Sequence, residues 1–294
     1  MSAAGSRERP AGVVLAAGLG TRLRPLTLLR PKALCPVGGV PLLDRALATC
    51  GPVSGTGPAH LAVNAHHLAE QVVDHVGARA HVRVERPQAL GTAGALGGLR
   101  PWLAGRAALV LNADTYLSGR LADLGVLTDG WDGERCRLLV VPAGPGARGD
   151  FPAAAGPGGN ADGPGRQEGR SGPDGWRYVG ACLLPWSAVR SLPAEPSGLY
   201  EVLWAAELAA GRLDLVTAPG TAVDCGTPAD YLAANLHAAG GESVVGVGAV
   251  VAGRLTRSVV WDGAVVLADE HLVDCVRAGD ATRPLTVAAG IPLA

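Results

Sequence analysis

Residues able to do chemistry gather at a few places along the 294-residue chain. The first is Leu15-Ala-Ala-Gly-Leu-Gly-Thr-Arg, followed shortly by Arg30-Pro-Lys-Ala-Leu. Gly18 and Gly20 leave backbone N–H groups free to approach an anion, as in a nest. Arg22 adds a planar fork for phosphate oxygens, and Lys32 a compact point charge. Lys32 is the single lysine among 25 basic residues. A composition that uses arginine wherever either cation serves keeps a lysine where a guanidinium will not fit; chance survival of a surface lysine is the plain alternative. Farther on, Leu111-Asn-Ala-Asp places Asp114 just past an apolar run, where a carboxylate can hold a hard cation or merely form a turn. A lone ammonium, an arginine and a cation-holding acid fit transfer of a phosphoryl or nucleotidyl group. Such reactions need in-line positioning and charge compensation more than covalent help.

Other chemistries lack their residues. Leu23 stands where a dinucleotide fingerprint wants a third Gly or Ala, and no Gly-Lys-Ser/Thr marks a P-loop. Neither Gly-x-Ser-x-Gly nor His-Glu-x-x-His occurs. His66 and His67, the one adjacent histidine pair, read as structural or solvated.

The elements that must carry these residues alternate. Residues 12–17 and 107–112 read as buried parallel strands, 60–64 and 82–84 as two more, and 41–50, 66–78 and 91–104 as helices between them. This rhythm predicts an α/β fold with a doubly wound, mostly parallel sheet. Ligands on such sheets bind at the carboxyl ends of the strands, where Gly18 and Asp114 fall. Half of residues 142–175 are Gly or Pro, which predicts an irregular loop. A strand is expected at 178–184 and helices at 199–211 and 228–239, the last with Thr227 as N-cap, Pro228 in its first turn and Asp230 as a dipole partner. From residue 243 short β-branched units separated by glycines predict two or three coils of a hexapeptide-type β tail. The domains expected are a disordered N-terminus over 1–10, a main domain over 11–240 and the tail over 241–294.

Composition narrows the class. Hydrophobic residues make up 48% and charged residues 17%, enough for a sizeable core. A net charge of −1 without a basic run argues against a nucleic-acid binder. No stretch approaches the apolar length that spans a bilayer, so no membrane contact is expected. Six scattered cysteines without a CxxC pair read as buried thiols in a reducing cytoplasm.

The opening motif with its downstream Pro31-Lys32 resembles that of the sugar-1-phosphate nucleotidyltransferases, the NDP-sugar pyrophosphorylases. Three more segments resemble the same family in the same order: Leu90-Gly-Thr-Ala-Gly, Leu111-Asn-Ala-Asp, and Val223-Asp-Cys-Gly-Thr-Pro-Ala-Asp-Tyr. The resemblance covers about residues 12–238, and the tail, with its Ser258-Val-Val-Trp unit, is similar to that of mannose-1-phosphate guanylyltransferases. It implies a Rossmann-like nucleotidyltransferase fold. It implies that Arg22 and Lys32 act on the triphosphate, Lys32 at its α-phosphate, with Leu15, Ala17, Gly18, Gly20 and Thr21 around the nucleotide. Gly91 and Thr92 would lie near the base, with Gln88 or Glu85 reading its edge. Asp114 and Asp224 would hold Mg²⁺. On the sugar side the resemblance implies Gly180, with Arg177, Asp150 and Glu201 as neighbours.

Two departures matter. Ala113 replaces a usual glycine, and the Glu-Lys-Pro whose lysine binds the sugar phosphate is missing; Arg177 or the Arg148-Gly-Asp-Phe turn would substitute. The function implied is transfer of a nucleoside monophosphate from an NTP to a sugar 1-phosphate with release of pyrophosphate. The tail and the Leu-Gly-Thr-Ala-Gly segment favour GTP, and the Arg148–Phe151 turn UTP. A non-catalytic, sugar-nucleotide-binding regulatory homologue is the alternative. The repeats are too few for a hexapeptide acyltransferase, and homo-oligomerisation is left open.

Overall fold

The computed structural model describes residues 9–144, 147–156 and 175–289. The disorder expected over 1–10 therefore falls, for residues 1–8, outside the described residues, as does most of the Gly/Pro-rich stretch over 142–175.

Strand and helix alternate at the predicted spacing: β1 (Ala11–Leu15), α1 (Leu42–Ser54), β2 (Leu61–Ala65), α2 (Ala69–Val76), β3 (His81–Val84), α3 (Gly91–Leu103) and β4 (Ala108–Asn112). After these come β5 (Thr115–Leu117), β6 (Cys136–Pro142), β7 (Gly175–Leu184), β8 (Leu213–Val216), β9 (Ala222–Asp224) and α4 (Pro228–Ala238). The main sheet runs β8-β6-β7-β4-β1-β2-β3, with the short Phe151–Pro152 strand paired to the start of β7. β4, β1, β2 and β3 are mutually parallel, whereas β7 is antiparallel to both β4 and β6. Val13 and Val14 are both fully buried and face opposite cores. A strand covered on both faces needs an unbroken apolar run, which is why β1 reads so clearly.

The chain leaves β1 toward β2 and β3, then returns to place β4 on β1's other side. This reversal opens a crevice at the carboxyl ends of β1 and β4.

α3 forms despite its glycines, and because of them. A Cβ on Gly94 would lie 2.2 Å from the Glu195 carbonyl oxygen, and one on Gly97 only 2.0 Å from that of Pro193. The stripe Gly91–Gly94–Gly97 therefore lets the 193–197 backbone lie directly on the helix. The helix expected over 199–211 is split: Tyr200–Trp204 adopt a π turn, and Ala205–Ala209 are α-helical.

The tail stacks Val244–Val245, Val259–Val260 and Cys275–Gly279 as one parallel face, with two further paired faces. Val244 lies opposite Val259 and Val259 opposite Val276, steps of 15 and 17 residues. A regular coil of hexapeptides would advance about 18, so the corners here are shortened. Pro284–Ala288 then turns back antiparallel on Cys275–Gly279.

The tail is not a loose appendage. Leu23, Leu26 and Cys35 share one core with Tyr231 and Leu232 of α4 and with Val259, Trp261 and Val276 of the tail. Trp261 is 2% exposed and its Nε1 donates to the Tyr231 hydroxyl at 3.0 Å. That hydroxyl in turn donates to the Pro36 carbonyl, and the Arg30 guanidinium lies 4.4 Å above the Trp261 ring. The segment that carries Lys32 is thus braced from behind.

Candidate functional site

The loop after β1 turns at Gly20, whose left-handed backbone (φ 60°) starts a 3₁₀ turn over Thr21–Leu23. A Cβ there would meet Thr27 Cγ2 at 2.7 Å, and the Thr27 hydroxyl donates to the Gly20 carbonyl at 2.8 Å. Gly18 has open space where its side chain would be. Lys32 begins a second, buried 3₁₀ turn.

Asp114 ends the β4 run. Asp224 reaches the same place through a separate pairing, β5 against β9, which sets Asp224 opposite Thr115. The Cys225 N–H completes the join by donating to the Asp114 carbonyl at 3.0 Å. Just beyond, the Thr227 hydroxyl caps α4 by accepting from the Asp230 N–H at 3.2 Å, and Pro228 occupies the first turn. Asp230 takes part in the cap, the structural role expected of it.

Between the two acids lies Lys32. Its Nζ donates to Asp114 Oδ2 at 2.8 Å and to Asp224 Oδ1 at 3.1 Å, with its side chain only 7% exposed. Arg22 Nη2 donates to Asp224 Oδ2 at 3.1 Å from the solvent side. Burial works to lower the Lys32 pKa, but Asp114, then Asp224, more than reverse this, so the ammonium is held above its ordinary range. Asp224 is pulled below its usual value: desolvation opposes this, and Lys32 and Arg22 outweigh it. The result is a charged cluster of two cations and two carboxylates next to an open glycine loop.

Two carboxylates within one hydrogen bond of the same ammonium also suit a hard divalent cation. Among the described residues no group of three or more His, Cys, Asp and Glu forms a protein cage. Asp114 and Asp224 are the two carboxylates here that would be available to such an ion, its other ligands then coming from water and phosphate.

A pocket of about 190 Å³ opens beside this cluster, lined by Leu15, Ala17, Gly18, Gly91, Thr92 and Asp114, and also by Asn64 and Asn112. Thr21 is exposed and, like Gly20, is not among the residues lining this pocket. The start of α3 also anchors a neighbouring segment: the Thr92 hydroxyl accepts from the Leu199 N–H at 2.9 Å, and the Ala93 N–H donates to the Ser197 carbonyl.

Glu85 does not read a base edge. It is 2% exposed, its Oε1 accepts from Asn64 Nδ2 at 2.8 Å, and its Oε2 accepts from the Leu90 N–H at 2.7 Å. Asn64 Oδ1 accepts from the Ala16 N–H at 2.7 Å. Glu85 therefore ties the loop after β1 to the start of α3, a positioning role. Gln88 is exposed and is not among the residues lining the pocket. Asn64 was missed from sequence, although a polar residue ending the buried run of β2 is itself a signal. His66 and His67 bond the carbonyls of Glu85 and Thr27, which makes them structural.

On the other side of Asp114, Gly180 sits at a bulge in β7 against Asn112 and Thr115. Arg177 Nη2 lies 3.4 Å from the Ala222 carbonyl, on the strand that carries Asp224. Asp150 Oδ2 accepts from the Tyr178 N–H at 2.9 Å. Glu201 is exposed on the π turn. Asp150 lines a second cleft, whose other walls are Arg148, Phe151, Tyr178, Tyr200 and Trp204, and Glu201 is not among them. Among the described residues no helix is long and apolar enough to cross a membrane.

Comparison with known proteins fits this geometry. Residues 12–210 match the family described as the MobA-like NTP transferase domain. Over 140 residues the chain is 35% identical to N-acetylmuramate alpha-1-phosphate uridylyltransferase of Caulobacter vibrioides, covering 45% of this chain and 57% of that one. Over 124 residues it is 35% identical to mannose-1-phosphate guanylyltransferase of Mycobacterium tuberculosis, covering 40% and 32%. The matched stretch thus spans from about a third to a little over half of these relatives' lengths. The fold also matches the crystal structure of mannose-1-phosphate geranyltransferase from Thermus thermophilus, with a TM-score of 0.62 at 20% identity over 95% of both chains.

Proposed function

We propose, from the premise that this chain belongs to the MobA-like NTP transferase domain family, that it transfers a nucleoside monophosphate from an NTP to a sugar 1-phosphate, giving an NDP-sugar and pyrophosphate. One observation carries the reading: two acids 110 residues apart in sequence converge on the single lysine beside the glycine loop.

The loop N–H groups around Gly18 and Gly20, with Thr21 and Arg22, cradle the triphosphate. Leu15, Ala17, Gly91 and Thr92 bound the nucleoside. Lys32 turns from the carboxylates toward the α-phosphate and withdraws charge from it. Asp114 and Asp224 would hold a Mg²⁺ ion, which when bound offsets the negative charge that two phosphates bring together. Gly180 leaves room for the sugar, and Arg177, beside Asp224's strand, takes the place of the missing lysine at the sugar phosphate. A phosphate oxygen of the sugar 1-phosphate bonds to the α-phosphorus, the bond to the bridging oxygen breaks, and pyrophosphate leaves with that electron pair. No protein nucleophile is needed.

The base is guanine in this reading, supported by the guanylyltransferase relative. Uridylyl transfer is the second reading, favoured by the 35% identity over 140 residues to the uridylyltransferase of Caulobacter vibrioides. The test is pyrophosphate release from a panel of NTPs crossed with sugar 1-phosphates. Turnover with at least one pair, abolished in Asp114→Ala, is expected. No turnover with any pair, or turnover indifferent to Asp114→Ala, overturns the reading. NTP binding without product would establish the regulatory homologue instead.

A further inference from the structure

Three of the four carboxylate oxygens of Asp114 and Asp224 already hold a cation. Asp114 Oδ2 and Asp224 Oδ1 accept from Lys32, and Asp224 Oδ2 accepts from Arg22. Two positive and two negative side chains cancel, so the cluster presents no net charge to an arriving ion. A divalent cation that used both acids would have to displace an ammonium or a guanidinium from them.

The two resident cations are held differently. Lys32 is enclosed, with a side chain 7% exposed, and can move only a short way. Arg22 is 65% exposed and rises from the 3₁₀ turn of the glycine loop. Its guanidinium can swing away easily, since an exposed ion pair contributes little. Its present place depends on Gly226. A Cβ there would lie 2.5 Å from Arg22 Nη2 and 2.9 Å from the guanidinium carbon. The bare backbone beside Asp224 is therefore a seat for the guanidinium. The same side chain belongs to the loop read above as the cradle of the triphosphate. A triphosphate offers it more negative charge, and more paired oxygens, than one carboxylate does.

Resting on the nucleotidyltransferase reading, we propose that the acid pair is latched. In the nucleotide-free protein Arg22 and Lys32 keep Asp114 and Asp224 closed to a divalent cation, and a bound triphosphate draws both side chains off and opens the acids to it. Arg22 is the part that travels, and Gly226 is where it rests. The acids by themselves do not collect the ion; they become available when a nucleotide is seated.

The test titrates the nucleotide-free, full-length chain with Mn²⁺ and reads the free ion by electron paramagnetic resonance. Removing one unit charge about 4 Å from a divalent ion, in a water-like dielectric with salt present, corresponds to about tenfold in affinity. Arg22→Gln and Lys32→Met should each bind Mn²⁺ about tenfold more tightly than the wild type. Arg24→Gln is the control. Arg24 is exposed on the same loop and, among the described residues, pairs with neither acid, so its loss should change affinity by less than about twofold. Asp224→Ala added to Arg22→Gln should abolish the gain. At saturating α,β-methylene GTP or UTP, wild type and Arg22→Gln should converge to within about twofold, because the wild-type guanidinium has then left the acid.

Nucleotide-free wild type that binds Mn²⁺ as tightly as Arg22→Gln overturns the latch, as does an equal gain in Arg24→Gln. A gap of about tenfold that persists with nucleotide bound overturns it too. In each case pyrophosphate release, measured separately, leaves nucleotidyl transfer standing. No Mn²⁺ binding by any of these proteins, with or without nucleotide, removes both the latch and the metal role of the acids. Failure of both analogues to bind removes the opening step together with the nucleotidyltransferase reading.

Discussion

Replacing Lys32 by Met keeps most of the stem and removes the ammonium. Two charge-assisted bonds are lost, at 2.8 and 3.1 Å, each worth about 1.5–3 kcal/mol before desolvation is counted. The stability change should be much smaller. Lys32 is nearly buried, so its removal also removes the cost of keeping a charge there, and Asp114 and Asp224 are 40% and 48% exposed and can be hydrated. A net loss of about 0–2 kcal/mol follows. Catalysis should suffer far more. Loss of a preorganised charge at the reacting phosphate costs about 2.7–4 kcal/mol, or about 10²–10³ in kcat. The assay is steady-state pyrophosphate release set beside the calorimetric Tm of the same samples. A folded Lys32→Met protein within fivefold of wild-type kcat/KM would refute the role given to Lys32. Lys32→Arg should not rescue it: the side chain is only 7% exposed between the two carboxylates, and a planar guanidinium is longer and bulkier than a compact ammonium. That outcome would also explain why a chain so rich in arginine keeps this lysine.

Other expectations can be checked separately. Glu85→Gln presents an N–H where an oxygen now accepts, which breaks one link of the Ala16–Asn64–Glu85–Leu90 chain; KM for the NTP should rise about tenfold with a smaller change in kcat, and an unchanged KM would remove Glu85's positioning role. Gly97→Ala puts a Cβ 2.0 Å from the Pro193 carbonyl oxygen and should cost about 1–3 kcal/mol in urea unfolding; a neutral result would mean that the 193–197 segment shifts freely. The buried thiols Cys35, Cys50, Cys136, Cys182 and Cys225 are pushed up from 9.0 to about 12, chiefly by burial. Between about pH 9 and 12 the unfolded chain loses these protons and the folded one keeps them, so stability is fully present below about pH 9 and falls as pH rises through this window. Urea midpoints that stay flat from pH 8 to 10.5 would contradict this.

Much of the site was legible because its residues depend on local chemistry. Gly20 needs a left-handed turn, Asp114 ends an apolar strand, and Thr227-Pro228 starts a helix; each leaves a mark within a few residues. What was missed depends on partners far away. Glu85 is spent on Asn64 and Leu90 because the register of β2 against β3 puts it there, and no short window contains that register. The glycines of α3 look unfavourable to a helix until the 193–197 backbone is laid across them. The π turn at Tyr200–Trp204 has the same apolar residues as an α turn, so pattern alone does not separate the two. The tail was visible as a rhythm, but its steps of 15 and 17 residues come from shortened corners, which apolar spacing does not reveal.

The pairing of β5 with β9 has a consequence for biogenesis. Lys32 and Asp114 emerge early during synthesis, whereas Asp224 can join them only after about a hundred further residues are made, and the Trp261 brace follows later still. A chain made from its N-terminus folds its early elements first. The growing polypeptide therefore holds the glycine loop, Lys32 and one acid for a long interval without the second. The cluster of Lys32 with both acids is complete only once strand 222–224 has docked on strand 115–117.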